Sequence, residues 1–582
     1  MTWDLTPLFS SLTEAEEFLK QAEFKAIEFE KNYKSRLYTL TPDEFLNVLK
    51  EYEEIWENIG RSLTYAYLEF ATDTSKGSIL AKFQEIANKA EEHLIWFELE
   101  FIYLPIDKQQ QFIDNAGVYK YYLIHLQEEA PYKLSEKEEK ILMKKDLTSG
   151  SAFSRLFDEH ISRLSFFFKG EKLSEEEVLS KLYSSDRNER KKAQVSLTLG
   201  LKPHQDLFAY IYNQVKKDWK IDFIDIRGYD NVEEPRHLSN KVTKKSVDAL
   251  VKTVNENTYL VEEYYNLKKE ILGYDQLFDY DRYAPIKLTD KQEEIPFEEA
   301  KETVLNAFKN FSDKFYEIAK KAFDENWIDV YPKQGKRGGA FSHSATPHAH
   351  PYVLLNYTNQ RRDIFTLAHE LGHAIHQYLA KDVGYLNQDT PLTTAETASI
   401  FAEMLLFEEL KKSLPKNELM EIYAGKLEDI FATLFRQIVF TNFERRVHAA
   451  DELKPQDYNK IWMEENQKMF GESVILTQNY EIWWSYIPHF IHSPFYCYSY
   501  SYAQLLVLTL YKLYKNGFEN FEEKYIEFLS QGGSLPPKKQ LEMFGVDIED
   551  ENFWQNGIGA VRDLLNEFKE LKETNDSEPT LF

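Results

Sequence analysis

The chain has 582 residues, 43% of them hydrophobic, which is enough for a buried core and for two or more domains or one large enzyme. Its formal net charge of −27 argues against nucleic acid or an anionic membrane surface as a partner, because both require a basic surface. The single cysteine, Cys497, excludes an internal disulfide and a multi-cysteine zinc site.

The sequence contains no segment that we interpret as a signal or a membrane span. The start, MTWDLTPLFSSL, lacks a basic stretch followed by an apolar one, so no secretory signal is predicted. The apolar stretch at residues 503–511 is much shorter than the roughly 20 residues that a membrane span needs. Together with the single cysteine, this predicts a cytoplasmic protein.

Long amphipathic runs with few interruptions predict a mainly α fold. Tyrosine (37) and phenylalanine (41) are abundant, whereas glycine (21) and proline (19) are sparse. Thr41 is a candidate N-cap, because Pro42 after it suits the first helical position. The first four predicted helices cover residues 13–33, 41–68, 74–101 and 106–127.

A β-prone run and a polar segment interrupt the helices further along the chain. The run RLSFFFKGEKL at residues 163–173 predicts a hairpin that turns at Lys169 and Gly170. The polar residues 184–188 favour a boundary nearby, so we predict an N-terminal helical lobe at 1–195 and a catalytic domain at 196–582. The composition of residues 574–580 is typical of a disordered tail.

Residues 330–357 lack a helical period and predict a small sheet. The run HPYVLLNY at 350–357 is β-prone and directly precedes a helical segment. Gly338 and Gly339 would allow the backbone of a ligand to approach closely. An exposed edge strand here could bind an extended peptide through main-chain hydrogen bonds. The alternative is an ordinary glycine turn in a surface hairpin.

The helical segment 361–381 contains His369-Glu370-Leu371-Gly372-His373, an H-E-x-x-H motif. Histidines four residues apart lie on the same helix face, so both imidazoles can bind one metal ion. Zn²⁺ accepts neutral imidazole and leaves a position for a water that Glu370 can deprotonate. Alternatively, His369 and His373 are ordinary histidines of a helix surface. His376 is interpreted as a structural or supporting residue.

A catalytic zinc usually takes a third protein ligand, and the next helix, at 393–403, offers one. Glu396 and Glu403 are two turns apart and would share a helix face. We interpret Glu396 as the ligand and Glu403 as a residue that supports the ligands. The apolar neighbours of Glu403 make it a poor surface residue, and burial of an unpartnered carboxylate is costly. The alternative is a pair of surface carboxylates.

Residues 483–502 are rich in aromatic and histidine side chains. Ser493 as N-cap and Pro494 as first residue predict one helix from residue 494 to about residue 515. Tyr496 and Tyr500 would share a face near its N-terminal end. Phenol and imidazole donors, such as these tyrosines and His489, suit stabilisation of a developing oxyanion. Alternatively, these tyrosines serve packing.

Several motifs together resemble oligoendopeptidase F, a bacterial relative of thimet oligopeptidase. They are WDLTPLF, HPYVLLNY, HELGHAIH, ETASIFAE and SYIPHFIHSPFYCYSYSYA, and they occur in this order along nearly the whole chain. The resemblance implies two helical lobes around a deep substrate channel, one Zn²⁺ at its base and cleavage of short unstructured peptides.

The resemblance also implies roles for individual residues. The zinc ligands would be His369, His373 and Glu396, with Glu370 as the general base. The family's substrate and transition-state donors match His489, Tyr496 and Tyr500, although the choice among Tyr496, Tyr498, Tyr500 and Tyr502 stays open.

We therefore expect a cytoplasmic zinc endopeptidase that acts on oligopeptides and has neither nucleic acid nor membrane as a partner. Two alternatives remain open at the level of sequence. One is a helical zinc carboxypeptidase, and the other is a peptide-binding protein with a vestigial motif.

Overall fold

The computed structural model describes residues 1–289 and 294–576. The described part consists mainly of α-helices and contains three small sheets, which confirms the predicted mainly α fold. The helices of the N-terminal half are α1 Leu12–Tyr33, α2 Pro42–Thr72, α3 Gly77–Glu92, α4 Ile95–Ile102, α5 Ile106–Asp114, α6 Lys120–Glu129, α7 Glu136–Asp146, α8 Gly150–Ile161, α9 Glu175–Ser180, α10 Arg187–Leu201, α11 Gln205–Lys220, α12 Glu234–Ser239, α13 Lys244–Glu256 and α14 Tyr259–Ile271.

The helices of the C-terminal half are α15 Phe297–Phe311, α16 Asp313–Asp324, α17 Arg361–Ala380, α18 Tyr385–Gln388, α19 Leu392–Ala395, α20 Thr397–Leu410, α21 Lys416–Thr433, α22 Phe435–Ala449, α23 Pro455–Phe470, α24 His489–His492, α25 Tyr498–Lys515, α26 Phe521–Ser530, α27 Pro537–Leu541 and α28 Glu551–Asp576. The strands are β1 Phe166–Phe168, β2 Glu171–Leu173, β3 Leu277–Phe278, β4 Ile328–Asp329, β5 Phe341–His343, β6 Tyr352–Leu354 and β7 Val474–Ile475.

The N-terminal helices follow the prediction with two interruptions. The hydroxyl of Thr41 accepts the N–H of Glu44, whose carboxylate accepts the N–H of Thr41, so α2 begins with the expected cap. The helix predicted at 106–127 is divided into α5 and α6, because Gly117 turns the chain at φ 58°. The helix predicted at 74–101 is divided into α3 and α4 by short-range hydrogen bonds at His93 and Leu94.

The predicted hairpin is confirmed. Strands β1 and β2 are antiparallel, with Phe166 opposite Leu173 and Phe168 opposite Glu171. The two turn residues, Lys169 and Gly170, have φ of 51° and 91°. Two consecutive residues with positive φ form the kind of turn whose twist matches that of paired strands.

The predicted small sheet is also confirmed. It has the order β4-β6-β5, with β6 parallel to β4 and antiparallel to β5, so β5 is an edge strand. All three residues of β6 are buried, which explains the β-prone run before α17. Gln377 of α17 attaches β5 to this helix: its Oε1 accepts the hydroxyl of Ser342 at 2.7 Å.

The described chain groups into two compact units. The first comprises Met1–Glu136, Lys291–Ser413 and Leu513–Val546, and the second comprises Lys137–Asp290, Leu414–Lys512 and Asp547–Phe582. This grouping differs from the predicted division into 1–195 and 196–582, because the segment with α17 shares a core with the N-terminal helices. Tyr352 and Leu354 of β6, for example, lie in one hydrophobic cluster with Trp3, Phe9 and Ile59.

Two further expectations concern the end of the chain and membrane insertion. Helix α28 includes the first residues of the predicted tail at 574–580 as far as Asp576, and residues 577–580 lie outside the described residues. Within residues 1–289 and 294–576, no helix combines the length and the apolarity that a membrane crossing requires.

Candidate metal centre

Helix α17 carries the H-E-x-x-H motif and has well-defined ends. The carboxylate of Asp363 accepts the N–H groups of Thr358 and Gln360 at 2.7 and 3.0 Å, which satisfies backbone donors before the first turn. A 3-10 turn follows the last residue, Ala380, and leads into Gly384 at φ 85°. The motif therefore lies in the middle of a regular helix.

Close packing of α17 against α20 brings the third candidate ligand to this helix. A Cβ atom on Gly372 would lie 2.6 Å from the carbonyl oxygen of Ala398 and 2.6 Å from the Cα of Ser399. Only glycine permits this approach without displacing backbone. Glu396 directly precedes α20, so the contact places its side chain beside the histidines of α17.

The structure brings the three predicted ligands together. The imidazole centroids of His369 and His373 are 4.8 Å apart. Oε2 of Glu396 lies 3.4 Å from Nε2 of His369 and 3.3 Å from Nε2 of His373. One ligand atom from each residue lies within 4.8 Å of the other two. Two imidazoles and one carboxylate are a ligand set of catalytic zinc, so these residues fit the metal.

Glu403 of α20 contacts His369. Its Oε1 lies 2.6 Å from Nδ1 of His369. When Nδ1 donates to this carboxylate, the lone pair of Nε2 is free for a metal ion. The predicted helix at 393–403 is divided, however: Glu396 lies between α19 and α20, so it does not share a regular helix face with Glu403. The close contact at Gly372, not helical spacing, brings both carboxylates to α17.

Burial and mutual hydrogen bonds shift the pKa values of the ligands. Burial alone would lower the pKa of His369, but hydrogen bonds to Glu396 and Glu403 raise it to about 10. Burial would raise the pKa of Glu396, but hydrogen bonds from His369 and His373 hold it well below its usual range. Without a metal, a protonated imidazole therefore faces two carboxylates, and metal binding must displace that proton.

Glu370 lies beside the ligands and is only 7% exposed. Burial raises the pKa of its carboxyl group, and the charges of His369 and His373 oppose that rise. A carboxyl group with a raised pKa is suited to accept and return a proton near neutral pH. His376, three residues after His373, is buried, and burial lowers its pKa to about 3, so it is neutral.

A pocket of about 450 Å³ opens over this centre. Its lining includes Glu370, the three ligands, residues of β5 and the segment around Asp389.

Sequence reasoning missed Gln377 and Asp389. Gln377 could have been found, because it continues the four-residue spacing of His369 and His373, whereas no local pattern marks Asp389. Gly338 and Gly339 precede β5, and a Cβ on either would have no heavy atom within 4 Å.

The second compact unit brings the predicted donors together. Nε2 of His489 lies 3.1 Å from the hydroxyl of Tyr500, and the ring of Tyr496 stacks on His489 with centroids 6.0 Å apart. Tyr498 and Tyr502, in contrast, are fully buried. The side-chain nitrogen of Asn240 donates to the hydroxyl of Tyr498 at 2.8 Å, so Tyr498 faces the core.

The predicted helix start at Pro494 is wrong, because α25 begins at Tyr498. Phe495 has φ of 58°, which a helix does not allow, and its N–H donates to Oε1 of the buried Glu444 at 2.9 Å. Tyr496 therefore lies in a turn before the helix and not on its face. Sequence reasoning missed Glu444, which lies 51 residues before Phe495 and is marked by no local pattern.

Comparison with known proteins identifies the family. Residues 180–560 match the family model for peptidase family M3, and residues 100–166 match the one for oligopeptidase F. The chain belongs to peptidase family M3. As a member of this family, the protein is a peptidase and its substrates are peptides. The resemblance to oligoendopeptidase F that the sequence motifs indicated is confirmed.

Relatives of this M3 peptidase match over nearly its full length. It is 29% identical to oligopeptidase PepF from Bacillus subtilis (strain 168), over 98% of this chain and 87% of the relative. It is 30% identical to an oligoendopeptidase F homolog from Borreliella burgdorferi, over 98% of both chains. Two solved structures share the fold.

One is a putative peptidase from Chlamydophila abortus, with a TM-score of 0.88, 24% identity and 98% of both chains covered. The other is oligoendopeptidase-F from Enterococcus faecium, with a TM-score of 0.70 and 24% identity, over 97% of this chain and 98% of that one.

Proposed function

We propose that this M3 peptidase is a zinc-dependent endopeptidase that hydrolyses internal bonds of short oligopeptides. The observation that carries the proposal is the cluster of His369, His373 and Glu396 beside the buried Glu370. These three residues would hold one Zn²⁺. When bound, the ion supplies Lewis acidity that activates water and the scissile carbonyl.

Glu370 is the proposed general base. Its carboxylate takes the proton from the attacking water and later delivers it to the leaving amine. The raised pKa of its carboxyl group supports both transfers, because burial brings that pKa closer to neutral pH. The carboxylate lines the pocket, so a bound peptide can reach it.

The edge strand β5 is the proposed docking strand for the peptide backbone. Phe341 and Ser342 line the pocket, and within the described part of the chain β5 has a neighbouring strand on one side only. An extended peptide could pair with such an edge through main-chain hydrogen bonds. Gln377 supports this role, because its contacts with Ser342 fix the strand against α17.

His489, Tyr500 and Tyr496 are the proposed donors to the developing oxyanion, as the family resemblance implies. Burial, followed by the charges of His492 and Arg436, lowers the pKa of His489, so it is a neutral donor. The hydrogen bond between His489 and Tyr500 and the partial exposure of all three side chains support the assignment. A cytoplasmic location is proposed on the evidence of the single cysteine.

A peptide blocked at both ends tests the proposed activity. We expect mass spectrometry to show internal cuts, which stop after treatment with a chelator and resume when zinc is added. Release of single C-terminal residues from free peptides, with no cut in the blocked one, would support a carboxypeptidase instead. Cleavage that is insensitive to chelation would contradict the metal mechanism.

A further inference from the structure

The pocket over the metal centre contains a carboxylate that the proposed zinc chemistry does not use. Asp389 lines this pocket together with Glu370 and the three proposed ligands. It is exposed, and its Oδ1 accepts the hydroxyl of Ser344 at 3.2 Å. A ligand that fills the pocket can therefore reach the ligands, the proposed base and Asp389 at once.

The other carboxylates of the pocket lie beside histidines. Oε2 of Glu396 is 3.4 Å from Nε2 of His369 and 3.3 Å from Nε2 of His373. The charges of the same two histidines act on Glu370. Within residues 1–289 and 294–576, in contrast, the pocket lining contains neither lysine nor arginine, and Asp389 forms no ion pair.

The protein compensates the charge of Asp389 only weakly. The pocket walls shield this carboxyl group from water in part, which raises its pKa, and the hydrogen bond from Ser344 opposes that rise. A hydroxyl donor stabilises a carboxylate less than a positive charge does. A cation beside Asp389 would supply the stabilisation that this part of the pocket lacks.

The backbone around Asp389 is fixed by contacts within the first compact unit. The N–H of Gly533 donates to the carbonyl oxygen of Asn387 at 2.7 Å, and the side-chain nitrogen of Asn387 donates to the carbonyl oxygen of Val118 at 3.1 Å. A Cβ atom on Gly533 would overlap the carbonyl oxygen of Asp389, so these two backbone segments are in direct contact. A carboxylate on a backbone that is already in place costs less entropy to engage.

Asp389 lies at the carboxyl end of the proposed docking strand. Ser344 follows β5 directly, whereas Ser342, which contacts Gln377 of α17, lies within the strand. Two residues of extended chain span about 7 Å, so the two serines mark separate positions along a paired peptide. One part of such a peptide would pass Asp389 while another part lies near Glu370, since both carboxylates line the same pocket.

We propose that Asp389 binds a positively charged group of the peptide substrate and gives the enzyme a preference for cationic peptides. This inference rests on the proposed function. The cation is either the free N-terminal ammonium group of the peptide or a basic side chain. The net charge of −27 favours the same class of substrate, because a negative field attracts cations.

Binding of matched peptides to the zinc-loaded Glu370→Gln protein tests the site. All peptides are amidated at the C-terminus. The first pair is otherwise uncharged and has a free or an acetylated N-terminus, and the second pair is acetylated and carries one lysine or one glutamine, placed in turn at each position. We expect the cationic form of one pair to bind about 5- to 30-fold more tightly, less than for an enclosed ion pair, because Asp389 stays open to solvent. The preferred pair identifies the source of the cation.

Variants of the same protein assign the preference to Asp389. Asp389→Asn keeps an acceptor for the hydroxyl of Ser344 but carries no charge, so the preference should fall to within about twofold. Asp382→Asn is the matched control, since Asp382 is exposed in the turn after α17 and does not line the pocket. It removes the same charge from the protein, and the preference should remain. Melting temperatures verify that each variant is folded.

Three results would overturn the cation site. They are equal binding within both peptide pairs, a preference that Asp389→Asn leaves unchanged, and an equal loss of preference in Asp382→Asn, which would trace it to the overall charge. Binding is read separately from cleavage. Retained cleavage by Glu370→Gln would instead contradict the proposed function, so the two failures are distinguishable.

Discussion

The carboxylate of Glu403 orients the imidazole of His369, one of the proposed metal ligands. Its Nδ1 faces Glu403 at 2.6 Å while its Nε2 faces the position shared with His373 and Glu396. The carboxylate fixes the ring orientation and makes Nε2 the stronger ligand. We therefore expect Glu403 to contribute to zinc affinity although it is not one of the proposed ligands.

Replacing Glu403 with Ala should lower the zinc affinity about 10- to 100-fold, because the His369 ring loses its orienting partner. Competition with a chromogenic chelator measures the affinity. Glu409→Ala is the control on the same helix, where Glu409 accepts from Asn310 and Lys412. Equal zinc affinities for both variants would show that Glu403 has no such role.

The proximity of the three proposed ligands was the most predictable feature of the candidate site. The four-residue spacing of His369 and His373 determines their common face once the segment is helical, and the predicted helix at 393–403 offered Glu396 as the third ligand. Tyr496 was placed incorrectly, because a distant carboxylate, Glu444, decides the backbone of its turn. Such a tertiary contact leaves no trace in local sequence.

Among the helices, the close contact between α17 and α20 requires a residue without a side chain, Gly372. A methyl group on Gly372 would overlap the backbone of Ala398 and Ser399. The backbone of two packed helices cannot yield as a flexible side chain can. The helices would have to separate, and Glu396 would move away from His369 and His373.

Gly372→Ala should therefore destabilise the protein by about 1–3 kcal/mol and reduce its zinc content. Urea denaturation and metal analysis measure the two effects. The control is Gly425→Ala in α21, an exposed helical position with no heavy atom within 4 Å of the added Cβ. That change should stabilise slightly, by about 0.5–1 kcal/mol. A stable, zinc-loaded Gly372→Ala protein would refute the packing argument.

The turn before α25 depends on the buried carboxyl group of Glu444. Burial raises the pKa of this group from 4.5 to about 8. The folded protein thus holds this proton more tightly than the unfolded chain does. The resulting stabilisation is complete below the unfolded pKa and is lost as the pH rises through the folded pKa.

Between about pH 4.5 and pH 8, this group should lower the free energy of unfolding by up to about 1.4 kcal/mol per pH unit. Glu444→Gln keeps an acceptor for the N–H of Phe495 but cannot ionise. Urea titrations across this pH range should show that the difference in the free energy of unfolding between wild type and Glu444→Gln changes with pH. A constant difference would mean that Glu444 does not titrate as described.

For the whole molecule, composition predicted the mainly α fold but not which segments of the chain form each compact unit. Few glycines and prolines leave long helices uninterrupted, and the Lys169-Gly170 turn identified the hairpin. The two compact units each combine three separate segments of chain. Local periodicity cannot show such grouping, because it depends on which distant apolar faces meet. The substrate channel implied by the resemblance stays a prediction.

Glu370 is the proposed base of a peptidase whose zinc would be held by His369, His373 and Glu396. The most direct measurement is kcat/KM for internal cleavage of a doubly blocked peptide by wild type and Glu370→Gln, at equal zinc content. We expect a loss of about 10²- to 10⁴-fold with one zinc per chain retained. Undiminished cleavage by a zinc-loaded Glu370→Gln protein would contradict it.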